Sequence, residues 1–176
     1  TFSPNISINS SYVQVVDDDD GILNPGETAN FIVELYNEEG WVDASALVAN
    51  LTTENENVSI LNGVADYGLL SNSEIGSAIG DDFQIFIDAD IELGEVEFTM
   101  DIVAVGAGGY QYTNTLNVSL DVSLFQSGFP FDTNSEIKSA PLIIDIDNDN
   151  VNEIIFADYT GKVRILDDGV EIENAF

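Results

Sequence analysis

Apolar and polar residues alternate along most of the first 124 positions. Thr28–Asn37 sets Ala29, Phe31, Val33 and Leu35 on one side and Asn30, Ile32, Glu34 and Tyr36 on the other. That is the period-two pattern of a strand with one buried face. Residues 44–53 repeat it, with Leu47, Ala49 and Leu51 opposite Ala46 and Val48. Residues 82–88 align Phe83, Ile85 and Ile87, and 95–105 align Val96, Phe98, Met100, Ile102 and Ala104. Residues 110–124 align Tyr110, Tyr112, Leu116, Val118, Leu120, Val122 and Leu124. Shorter strands are expected at 11–16, 58–61 and 64–67, the last two joined at Asn62-Gly63, a dipeptide that signals a hairpin. Residues 1–10 read as a polar arm or a first edge strand, 69–81 as loop, and 106–109 as a tight connection. Trp41, after a turn glycine, is the aromatic expected at the surface. No window holds a helical period.

This pattern predicts an all-β protein: an antiparallel Ig-like β-sandwich over residues 1–124, followed by a small β-meander. Composition shifts at Phe125, where Phe125-Gln126-Ser127-Gly128-Phe129-Pro130-Phe131 forms a Gly/Pro hinge, and 125–138 read as a linker. Within 139–176, strands are expected at 141–145, 153–158, 162–167 and 170–172. A meander this small cannot bury its own faces. It is expected to pack on the sandwich, on a partner or on further repeats, as one unit of an incomplete array.

Charge narrows the functional classes. Thirty-three acidic residues stand against three basic ones, a formal charge of −30, and residues 1–137 contain no Lys or Arg. Such a surface repels nucleic acid and anionic lipid, whose phosphates need basic contacts. With 44% hydrophobic residues the chain is nonetheless able to fold. It contains neither Cys nor His, which excludes disulfides, thiol nucleophiles, serine triads and imidazole–zinc sites within the chain. No run of 18 apolar residues offers a membrane-spanning helix.

The densest chemistry lies in the meander. Asp145, Asp147, Asp149 and Glu153 sit between the apolar runs Leu142-Ile143-Ile144 and Ile154-Ile155-Phe156. Like charges at that density call for a cation. Hard oxygen ligands at alternate positions suit Ca²⁺. The spacing matches positions 1, 3, 5 and 9 of an EF-hand-like loop, with the Val151 carbonyl at position 7. Asn150 takes the position usually held by Gly, and Phe156 the one usually held by Glu, so this is a calcium loop between strands. A second cation site is offered by Asp17, Asp19 and Glu27 in the 17–27 loop, the alternative there being a solvated acidic turn.

Two resemblances follow from these residues. Gly128-Phe129-Pro130-Phe131, Ser139-Ala140-Pro141, Asp145-Ile146-Asp147-Asn148-Asp149, Glu153-Ile154-Ile155 and Gly161-Lys162-Val163 together resemble one calcium-binding blade of an FG-GAP/VCBS-type β-propeller repeat. The resemblance implies Ca²⁺ held by Asp145, Asp147, Asp149, the Val151 carbonyl and Glu153. Asp20-Gly21-Ile22-Leu23-Asn24-Pro25-Gly26-Glu27-Thr28 is similar to the opening of CARDB/NEW3-like adhesion sandwiches, which implies an extracellular spacer or adhesive role.

The expected function is a non-catalytic, secreted or cell-surface module, structural or adhesive, stabilised by Ca²⁺. An incomplete blade leaves open strand edges, so partners are expected to be further copies or other surface proteins joined by β-augmentation into a fibre or surface layer, with residues 1–10 as a donated strand. The alternative is an accessory fragment of a larger secreted enzyme such as a peptidase or glycosidase. A catalytic carboxylate pair carries little weight, since in so acidic a chain pairs about 5–10 Å apart arise anyway. Asn5, Asn9, Asn50, Asn57 and Asn117 head N-glycosylation sequons.

Overall fold

The computed structural model describes residues 2–16, 20–125, 128–149, 151–167 and 169–172. The chain divides into two compact units, Thr1–Leu124 and Phe125–Phe176.

The first unit runs β1 (Ile6–Val15), β2 (Thr28–Asn37), β3 (Ala44–Thr52), β4 (Val58–Asn62), β5 (Val64–Leu70), β6 (Ile75–Gly76), β7 (Phe83–Ile87), β8 (Gly94–Val105) and β9 (Gln111–Val122). One short 3-10 turn, Ala107–Gly109, links β8 to β9. The strands form two antiparallel sheets, ordered β1-β2-β7-β4, with β6 against β2, and β5-β3-β8-β9.

The two sheets share one core. The alternation seen in the sequence delivers Ala29, Phe31, Val33 and Leu35 from β2, Phe83, Ile85 and Ile87 from β7, and Val96, Phe98, Met100, Ile102 and Ala104 from β8, all buried. The Phe31 and Phe98 rings meet between the sheets at 5.3 Å. Burying each such side chain contributes about 1.5–3 kcal/mol.

Asn62-Gly63 does not turn a hairpin. β4 pairs with β7 in one sheet and β5 with β3 in the other. A type I′ turn needs positive φ at both central residues, and neither Asn62 nor Gly63 has it. Gly63 is wedged at a crossover: its carbonyl accepts the Leu51 N–H at 2.8 Å, and a Cβ there would lie 3.1 Å from Ile60 Cγ2.

From Ile6 onward the polar N-terminal segment is an edge strand, paired with β2, and not a free arm. The Ile6 N–H donates to the Tyr112 hydroxyl and its carbonyl accepts from Asn114 Nδ2, which ties the start of β1 to β9. The 69–81 stretch contains the end of β5 and all of β6. Tyr110 and Leu124 are exposed, because β9 stops short of both. Trp41 is partly covered.

The second unit is an antiparallel meander, β10 (Leu142–Ile144), β11 (Glu153–Ala157), β12 (Val163–Asp167) and β13 (Val170–Glu171), in that order. Phe156, Ile165 and Leu166 are buried. Residues 125–138, read as a linker, belong to this unit. Phe131 sets its ring edge-on to Phe156 at 6.3 Å, and the Glu136 carbonyl accepts the Tyr159 N–H at 2.8 Å. Gly128, at φ +78°, is required by close approach: a Cβ there would fall 2.4 Å from the Gly169 carbonyl oxygen.

Candidate metal centre

Strands β10 and β11 pair through Ile144 and Glu153, so residues 145–152 form the connection between them. The loop turns on its own side chains. The Asn148 N–H donates to Asp145 Oδ1 at 2.6 Å, Asp149 N–H to Asp147 Oδ1 at 3.2 Å, and Val151 N–H to Asp149 Oδ1 at 2.8 Å. Asn148 takes the left-handed conformation at φ +66°, which asparagine tolerates better than most residues. Asn150, expected to take that role, lies outside the described residues.

These turns bring Asp145, Asp147 and Asp149 together, with one carboxylate oxygen from each lying within 4.8 Å of the others. Even in water such a separation costs about 1 kcal/mol per pair of like charges, and more where solvent is partly excluded. Asp145 is half-buried, and Asp147 and Asp149 are exposed.

Glu153 is placed differently. It opens β11 and is 1% exposed. Its Oε2 accepts the Ile146 N–H at 2.7 Å, across the base of the loop, while its Oε1 is buried with no hydrogen-bond partner among the described residues. A buried carboxylate oxygen without a donor is costly, by about 1–3 kcal/mol or more for a charged group. Glu153 is not among the mutually close oxygens of the three aspartates. Val151 contributes its N–H to the loop, and its side chain is exposed.

The donor set is all oxygen, clustered and anionic, with a buried orphan oxygen at the loop's exit. That fits a hard divalent cation such as Ca²⁺. Asp145, Asp147, Asp149 and Glu153 are the side chains that would hold it.

Of the second expected site, Asp17 and Asp19 lie outside the described residues. Glu27 closes its own loop, its Oε2 accepting the Asn24 N–H at 2.7 Å. Asp20 does likewise for the Ile22 N–H. Of the sequon asparagines, Asn9, Asn50 and Asn117 are exposed, and Asn5 and Asn57 partly so.

A polar cluster past the far end of β11 from the loop has no counterpart in the sequence reading. Asp158 Oδ1 accepts the Thr160 hydroxyl and the N–H groups of Thr160 at 2.9 Å and Lys162 at 3.2 Å. Its Oδ2 accepts Arg164 Nε at 3.0 Å. The Thr160 hydroxyl first, and then Arg164 and the backbone N–H groups, pull the Asp158 carboxyl down to about 2 against the opposing effect of burial. Arg164 also donates from Nη1 to Glu171 Oε2 at 2.8 Å and from Nη2 to the Thr133 carbonyl at 3.4 Å. Lys162 pairs with Glu171 at 2.6 Å and, ahead of Arg164, lowers its carboxyl below the usual range. The signal was available: two of the three basic residues lie in one short strand region. They serve as internal clamps.

The chain matches no protein-family model, and no curated protein matches it at a significant level of similarity.

Proposed function

We propose that this protein is a non-catalytic, calcium-stabilised extracellular module with a structural or adhesive role. The observation that carries the reading is the loop 145–153: three aspartate oxygens within 4.8 Å of one another and, at the start of the following strand, a buried glutamate oxygen that lacks a donor. Bound Ca²⁺ supplies positive charge where the chain has gathered negative charge, and fixes the β10–β11 connection. A strongly acidic surface without Cys suits surroundings where calcium and salt are plentiful. The resemblance to an FG-GAP/VCBS blade supports the same site.

The strand order supports the immunoglobulin-like reading of the first unit. With β1, β2, β3, β4, β7, β8 and β9 taken as strands A to G, the sheets become ABED and CFG, with β5 added beside C. β9 ends its sheet. Its two ends are covered by β1 and by the Leu23–Val122 bridge, while residues 115–120 have no strand beyond them among those described. That edge favours assembly by strand addition.

The test is a calorimetric Ca²⁺ titration of the chain and of the Asp145→Ala, Asp149→Ala double variant. One site is expected to disappear in the variant. Equal stoichiometry in the two proteins rules the reading out. Light scattering with and without Ca²⁺ tests assembly, and a monomer under both conditions removes that part.

A further inference from the structure

The outer face of the sheet β1-β2-β7-β4 carries a row of side-chain amides. The register sets Gln14 opposite Asn30, Asn30 opposite Gln84, and Gln84 opposite Asn62, one from each strand. Gln84 Nε2 donates to Asn30 Oδ1 at 3.1 Å, and Asn62 Nδ2 donates to the Asp82 carbonyl at 2.7 Å. These bonds fix the orientation of the amides in advance of any ligand. At the β7–β4 end the row opens into a groove of about 380 Å³ lined by Asn30, Asn62, Gly80, Asp81, Asp82 and Gln84. Small-molecule sites span roughly 300–1,000 Å³.

The lining selects among ligands. Asp81 and Asp82 repel anions, as does the chain's −30 charge. The amide oxygens of Asn30 and Asn62, which a cation would need, are already engaged, Asn30 Oδ1 by Gln84 Nε2 at 3.1 Å and Asn62 Oδ1 by the Val64 N–H at 3.3 Å, while the amide NH₂ groups repel it. A polyhydroxylated neutral molecule matches both kinds of group. Each hydroxyl donates to a carboxylate or amide oxygen and accepts from an amide N–H. Burial, and then the charge of Asp81, push the Asp82 carboxyl up, as expected of an acceptor partly withdrawn from water. Phe86 follows Gln84 on the same face of β7, paired with Thr28 and Ser59, and lies outside the groove lining.

We infer that this groove binds a neutral saccharide, with Asn30, Asn62, Asp81, Asp82 and Gln84 as its hydrogen-bonding groups. This deepens the adhesive reading by naming a partner, and it stands on a different unit from the calcium loop.

The test screens the whole chain against immobilised neutral oligosaccharides of glucose, mannose, galactose and N-acetylglucosamine, with sialylated glycans beside them. The best binder is then titrated calorimetrically into the wild type, Gln84→Ala and Asp82→Asn, each checked by circular dichroism, with Ca²⁺ and with chelator. A neutral glycan is expected to bind, and both solvent-face substitutions to weaken it by more than about tenfold. Absence of binding at millimolar concentrations, preference for sialylated glycans, or full affinity in both variants each overturns the inference. Saccharide binding that survives while the Ca²⁺ titration shows no site leaves the groove assignment standing and removes the calcium reading.

Discussion

The hydroxyl of Tyr67, on β5, donates a 2.8 Å hydrogen bond to the carbonyl oxygen of Val33, on β2. It is a polar tie through the apolar core from one sheet to the other. Burial, with a smaller contribution from the charge of Asp82, raises the phenol above its usual range, so it stays a donor wherever the protein is folded. Tyr67→Phe is expected to cost about 1 kcal/mol in urea unfolding with an unchanged slope. Because the folded group titrates higher than the unfolded one, that contribution holds below pH ~10 and falls above it, where the unfolded state ionises.

Asp158 gives the opposite pH dependence. Its carboxyl is held near 2 in the folded state, below the ordinary value near 3.9. The stability it contributes is fully present above pH ~4 and is lost as pH falls toward 2. Thermal melts of wild type and Asp158→Asn are expected to differ most at neutral pH and to converge near pH 2. A constant difference across that range contradicts the clamp around Thr160, Lys162 and Arg164.

Calcium removal is expected to lower the melting temperature of the wild type and leave the Asp145→Ala, Asp149→Ala variant unmoved. Linkage gives about 2.7 kcal/mol at a hundredfold excess of ligand over its dissociation constant. Differential scanning calorimetry with and without chelator reads both.

Glu153→Gln separates the ligand role from the structural one. Removing the buried charge, while the amide still leaves one buried polar atom there, is expected to raise the melting temperature of the calcium-free protein slightly and to weaken Ca²⁺ binding at the same time. If the calcium-free variant melts below the wild type, the buried oxygen is not the liability the geometry makes it.

The strands of the sandwich were legible because period-two burial leaves a direct mark: Val96, Phe98 and Met100 alternate with Glu97, Thr99 and Asp101 and fill the core. The loop aspartates were legible through spacing. Asn62-Gly63 misled because a dipeptide reports what a backbone can do, whereas the pairing of β4 with β7 was decided by Val58 and Ile60 meeting Ile87 and Ile85. The burial of Glu153 was hidden because nothing local distinguishes it from the carboxylates before it, none of which is buried. The amide row was hidden because Gln14, Asn30, Asn62 and Gln84 come together only through inter-strand register.

Residues 1–137 lack any basic side chain, so the whole sandwich is a polyelectrolyte of one sign. Its counterion cloud reaches about 30 Å at 0.01 M salt and about 8 Å at 0.15 M. Adjacent strands must come within about 4.8 Å to pair. In dilute solution this repulsion opposes the proposed pairing of β9 residues 115–120 with another copy, and added salt is expected to relieve it.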